Sequence, residues 1–107
     1  MLLKYDFDIN IESVVINLKR LVNQIYKLLP MREEQEYWQK PLETILEELA
    51  GLHRLLLPTQ EPILTTLISK LEGLFTLTKD SDFELYRRTI FECLGLCNKI
   101  AEDLCRL

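Results

Sequence analysis

The chain has 107 residues, 48% of them apolar and 28% charged, a balance that suits one globular domain over residues 1–107 and excludes a disordered chain. A formal net charge of -4 removes the basic footprint that supplies most nucleic-acid affinity. No apolar run approaches the roughly 18 residues of a membrane span, and the opening MLLKYDFDIN has the form of neither a signal peptide nor a targeting segment.

With three glycines and four prolines there are few breaks, which favours few, long elements. Asp8 or Asn10 can cap a first helix over about residues 9–29, expected to stop before Pro30 because proline disfavours helical backbone in the residue ahead of it. Its apolar positions Ile11, Val14, Leu18, Leu21, Ile25 and Leu28 are spaced 3-4-3-4-3. Val15, Val22 and Leu29 widen this to the three-sevenths stripe of a bundle helix.

A second helix is expected over about 32–57, kinked or freshly started at Pro41 and ended by Pro58, with Leu42, Ile45, Leu49, Leu52 and Leu56 as its stripe. Thr59 can cap a third helix, about 61–77, with Pro62 in its first turn and Leu64, Leu67, Leu71 and Leu74 on one face. Residues 78–81 read as a connector. Ser81-Asp82-Phe83-Glu84 fits a capping box for a fourth helix, about 82–106. Its stripe runs Phe83, Tyr86, Ile90, Cys93, Cys97, Ile100, Leu104 and Leu107. Four single-striped helices with short links predict an all-α, antiparallel, up-down-up-down four-helix bundle. Alternation of Leu3, Tyr5 and Phe7 allows an N-terminal arm.

The three glycines recur every 22 residues, at Gly51, Gly73 and Gly95. In heptad terms they fall at c, c and f, outside the seams, so they do not serve helix contacts within the bundle. Each costs about 1 kcal/mol against alanine in a helix interior. Two readings compete: notches for a partner helix, or outer positions that tolerate glycine.

Chemistry is sparse. Cys93 and Cys97 face the same side of one helix, and His53 would be a third zinc ligand, but three scattered groups leave a structural site incomplete. Both cysteines hold seam positions, where a thiol serves as a small hydrophobe. Three cysteines crowded near the C-terminus speak for free thiols in a reducing cytoplasm. His53 has no nucleophile tied to it.

The stretch LEELAGL, with Glu47 and Glu48, resembles the EExxE motif of the all-α nucleotide pyrophosphatases related to MazG. The resemblance spans about ten residues and implies carboxylates holding magnesium against a nucleotide's phosphates. The third acidic position is Gly51, and the downstream ExxD has no counterpart among Glu61 and Glu72. Glu33 and Glu36 form an ExxE with no pairing acids. The chain is therefore expected to be no enzyme and to hold no metal or cofactor, the glutamates forming a solvated face.

Residues 13–31 carry Lys19, Arg20 and Lys27 and no acid, whereas residues 32–57 carry six glutamates, so these helices complement each other as neighbours. Two alternatives stand beside the leading reading: a MazG-like magnesium-dependent nucleotide pyrophosphatase with an incomplete motif, and a nucleic-acid-associated regulator using the basic first helix. In REEQEYW, Trp38 beside Tyr37 is either a partner hot spot or, the favoured reading, a cap on one end of the chain's own core. Leu55, Leu57, Leu77, Phe91 and Leu96 lie off their seams. The expected function is a small cytoplasmic protein–protein interaction module acting on another protein or as a homodimer. Its candidate contacts are Tyr37, Trp38, Gly51, Leu55, Gly73, Leu77, Phe91 and Gly95.

Overall fold

The computed structural model describes residues 11–53 and 61–105. Helices α1 (Ile11–Glu33), α2 (Gln39–His53), α3 (Glu61–Gly73) and α4 (Phe83–Cys105) form an antiparallel four-helix bundle, 46 Å long and 20 by 19 Å across. Among the described residues there is no strand, and no helix is long and apolar enough to cross a membrane. The helices pack in cyclic order, and the contact between α1 and α4 is the most extensive. Their alternating direction follows from the cross-links. Arg20 meets Glu48, Trp38 meets Phe75, Lys70 meets Glu92, and Tyr26 meets Phe91.

Each stripe turns inward as its spacing demands. Leu18, Ile25, Leu28, Leu42, Leu49, Leu64, Leu67, Leu71 and Leu74 lose all their exposure, as do Tyr86, Ile90, Cys93, Cys97 and Ile100 on α4. Side chains of this kind stabilise the fold by about 1.5–3 kcal/mol apiece when fully buried. The expected caps at Asp8 or Asn10, the N-terminal arm, the stop at Leu57 before Pro58, the Thr59 cap, Leu56 and Leu107 lie outside the described residues.

Three local expectations need correction. Helix α1 does not stop before Pro30 but runs through it to Glu33. Pro30 and Tyr26 both lie on the exposed side, so water can satisfy the Tyr26 carbonyl that proline leaves without a donor. Leu28 and Leu29 are buried just before it, and Met31 packs on the core just after, which holds the last turn in place. Residues 32–38 therefore belong to the end of α1 and a connector, and α2 starts at Gln39 with Pro41 in its first turn.

Finally, the Ser81–Glu84 capping box is displaced by two residues. The Lys79 N–H donates to Asp82 Oδ2 at 3.3 Å while the Asp82 N–H donates to the Lys79 carbonyl at 2.9 Å. A short 3₁₀ turn, Asp80–Asp82, then leads into α4. The third helix likewise tightens, ending in a 3₁₀ turn at Leu74–Thr76.

The end of α1 closes as a Schellman motif. The Glu36 N–H bonds the Met31 carbonyl at 2.8 Å and the Gln35 N–H bonds the Arg32 carbonyl at 3.1 Å. Gln35 takes the left-handed conformation, φ 58°, that this motif demands. Glycine is the usual occupant, and a side chain there costs about 1 kcal/mol. Gln35→Gly is expected to raise stability by about that amount, read as a higher urea midpoint at constant m-value.

Beyond this turn, Arg32 ties the bundle end together. Its guanidinium donates to the Leu77 carbonyl from Nε (3.1 Å) and Nη2 (2.9 Å), and to the Lys79 carbonyl from Nη2 (2.6 Å). The same group lies 4.9 Å from the Tyr86 ring centre and 5.4 Å from that of Phe83. One cation thus satisfies the carbonyls of the α3–α4 connector and stacks on two rings of α4.

Candidate interaction face

Along the edge of its core stripe, α1 carries a second line, Val15, Lys19, Val22 and Tyr26, spaced 4-3-4, in which Val15 is buried and Val22 packs partly against the core. Helix α4 carries a matching one, Phe91, Gly95, Asn98, Glu102 and Cys105, spaced 4-3-4-3. Because α1 and α4 run antiparallel and pack closely, the two lines flank one shallow groove. At one end Tyr26 and Phe91 meet edge to face, ring centres 6.5 Å apart, although each is about half exposed, at 52% and 44%. Arg87 covers the Phe91 ring at 5.3 Å. Toward the other end the groove opens into a cleft of about 470 Å³, walled by Val15, Lys19, Asn98, Ala101, Glu102 and Cys105. Between the two ends lies Gly95, where an added Cβ would meet no atom within 4 Å.

The chain matches no family model, no curated protein and no solved structure.

The other candidate contacts are scattered. Trp38 is 5% exposed, so its ring faces the chain's own core, while neighbouring Tyr37 is 70% exposed. Leu77 is partly buried against the core, and its carbonyl is taken by Arg32. Leu55 lies outside the described residues. Gly51, Gly73 and Gly95 are all exposed with open space where a Cβ would be, but on three different helices, so they do not build one common notch. Of the candidates named from the sequence, only Phe91 and Gly95 share the groove. Tyr26, Val22 and Lys19 were not singled out as contacts. The signal for them was present: Val15 and Val22 already widened the α1 stripe to that side, and continuing it by three or four residues reaches Lys19 and Tyr26.

At Gly51 and Gly95 the open space makes alanine harmless to packing. Each Gly→Ala change is expected to stabilise the fold by about 0.5–1 kcal/mol through helix propensity. Urea denaturation of the isolated chain at low micromolar concentration reads this.

Two ion pairs between helices serve the bundle itself. Glu48 accepts from Arg20 at 2.6 Å, joining the basic α1 to the acidic α2 as the charge pattern anticipated. Glu47, its partner in the EExxE resemblance, is exposed. Among the described residues no three of His, Cys, Asp and Glu gather as a metal site would require. Lys70 bonds Glu92 at 2.9 Å across α3 and α4, and that carboxylate raises the Lys70 pKa above its ordinary value.

Cys93 and Cys97 are buried free thiols, and burial pushes each up to about 12 from an ordinary 9.0. Thiolates are the reactive form, so both are inert at neutral pH. Cys105 alone is exposed. Ellman's reagent should therefore titrate one thiol per native chain and three in urea.

The same burial has a consequence at high pH. Folded thiols hold their protons more tightly than unfolded ones, so their contribution is intact below pH 9 and is lost as pH rises from about 9 toward 12. The urea midpoint should fall over that window.

Proposed function

We propose that this protein is a small helical interaction module, working in the cytoplasm, that presents the α1/α4 groove to another protein chain. The observation supporting it is the Tyr26–Phe91 pair. Two large aromatic rings meet edge to face while each is kept about half in water, at the rim of the groove between α1 and α4. Aromatic residues gain most from burial at an interface and lose little side-chain entropy there, which is why they dominate binding hot spots. Arg87 against Phe91 adds the third residue type enriched at such spots. The inert, buried thiols of Cys93 and Cys97 suit a reducing compartment.

Affinity capture from the source cells with quantitative mass spectrometry tests this, comparing wild type with Tyr26→Lys/Phe91→Asp. Ile16→Asp, at a residue 64% exposed on another side of α1, is the control. Proteins held by wild type and the control but released by the groove variant support the reading. Identical capture by all three defeats it.

A further inference from the structure

We infer that the groove is self-complementary and that its occupant is a second copy of this chain, docked with its α4 antiparallel about a two-fold axis at the level of Gly95. This rests on the proposal that the α1/α4 groove is an interaction face and names its partner. An isologous contact requires every feature on one side of the axis to find its complement at an equal distance on the other side. The stripe on α4 meets that condition to within one residue.

Arg87 lies eight residues before Gly95 and Glu102 seven residues after it, about 12 and 10 Å along the helix at 1.5 Å per residue. The axis therefore sets Arg87 of each copy opposite Glu102 of the other, two ion pairs from one symmetry operation. Both residues are exposed; among the described residues Arg87 has one loose ion pair, 3.9 Å from Glu84, and its guanidinium over Phe91 lies on the same face as the proposed contact.

Shape follows the same rule. Phe91 lies four residues before the axis, and the 470 Å³ cleft begins at Asn98, three residues after it. Each copy thus brings an exposed aromatic knob to the other's cleft. At the crossing itself stands the residue without a side chain, with nothing within 4 Å of its missing Cβ, so two backbones can approach closely.

Size sets the class of interface. Residues 87–105 span about 27 Å of helix, and across a bundle 20 Å wide the footprint is on the order of 500 Å² per copy. A total near 1,000 Å² is at the lower end of specific interfaces, the size class of weak, reversible association.

Sedimentation equilibrium of the full chain between about 1 and 500 µM is the test, with circular dichroism to verify folding of each variant. Wild type should pass from monomer to dimer across that range. Arg87→Glu and Glu102→Arg should each weaken association about ten-fold or more, since symmetry counts every reversal twice. The double reversal should restore it to within about three-fold. Gly95→Ala should weaken the dimer while stabilising the monomer.

A monomer throughout, or a dimer indifferent to the single reversals, overturns the inference. So does a failure of the double variant to recover. None of these outcomes touches the broader reading, because capture of a different protein by the same groove is measured separately.

Discussion

Trp38→Ala is expected to cost the fold about 3–5 kcal/mol, the range for removing a buried aromatic side chain. The ring is the plug at the α2 end of the core. It stacks on Phe75 of the α3 terminus at 6.2 Å with an interplanar angle of 24°, and meets Tyr86 of α4 edge-on at 5.1 Å. Trp38 joins those two rings to the start of α2, so alanine leaves a cavity that the neighbours close only in part. Trp38→Phe keeps most of the contact and should cost about 1 kcal/mol. Urea denaturation followed at 222 nm reads both. A loss below 1 kcal/mol for the alanine variant would remove Trp38 from the core. Because it is the sole tryptophan, its emission also reports the transition in wild type directly.

Arg32→Ala is expected to cost about 2–4 kcal/mol, more than almost any other change outside the apolar seams. Bonds from a charged donor contribute about 1.5–3 kcal/mol when the acceptor is left dry, and stacking on rings adds about 0.5–2. Partial exposure of the site pulls the sum toward the lower half. Arg32→Lys should recover less than half, because an ammonium cannot reach two carbonyls and face two rings at once. A double-mutant cycle with Trp38→Ala should be non-additive by about 1 kcal/mol, since both side chains rest on Tyr86. Additivity would mean that the two act on separate parts of the bundle end.

The four helices were legible because each carries one unbroken apolar stripe. Positions such as Leu18, Leu49, Leu71 and Ile90 have no exposure at all in the bundle, as their spacing required. The helix ends were less legible, for local reasons. A proline rule placed the α1 terminus at Pro30, but burial of Leu28 and Leu29 and the anchoring of Arg32 outweighed it. The terminator, Gln35 with φ 58°, gives no glycine signal for a reader to find.

The groove was half visible. Phe91 and Gly95 stood out as off-seam residues, whereas Tyr26 belongs to it only because α1 and α4 lie side by side, a fact of packing that no single helix encodes. Arg32 was unreadable for the same reason: its acceptors, Leu77 and Lys79, lie 45 and 47 residues away in sequence.

The heaviest packing in the molecule joins the first helix to the last of the four. On a ribosome, α1 emerges long before α4 and waits with its greasy side uncovered until α4 is translated. Neighbouring hairpins can zip early, yet the ring of helices closes only after α4 has been made. A nascent chain stalled near residue 80 should therefore recruit holdase chaperones strongly and release them abruptly once α4 clears the exit tunnel.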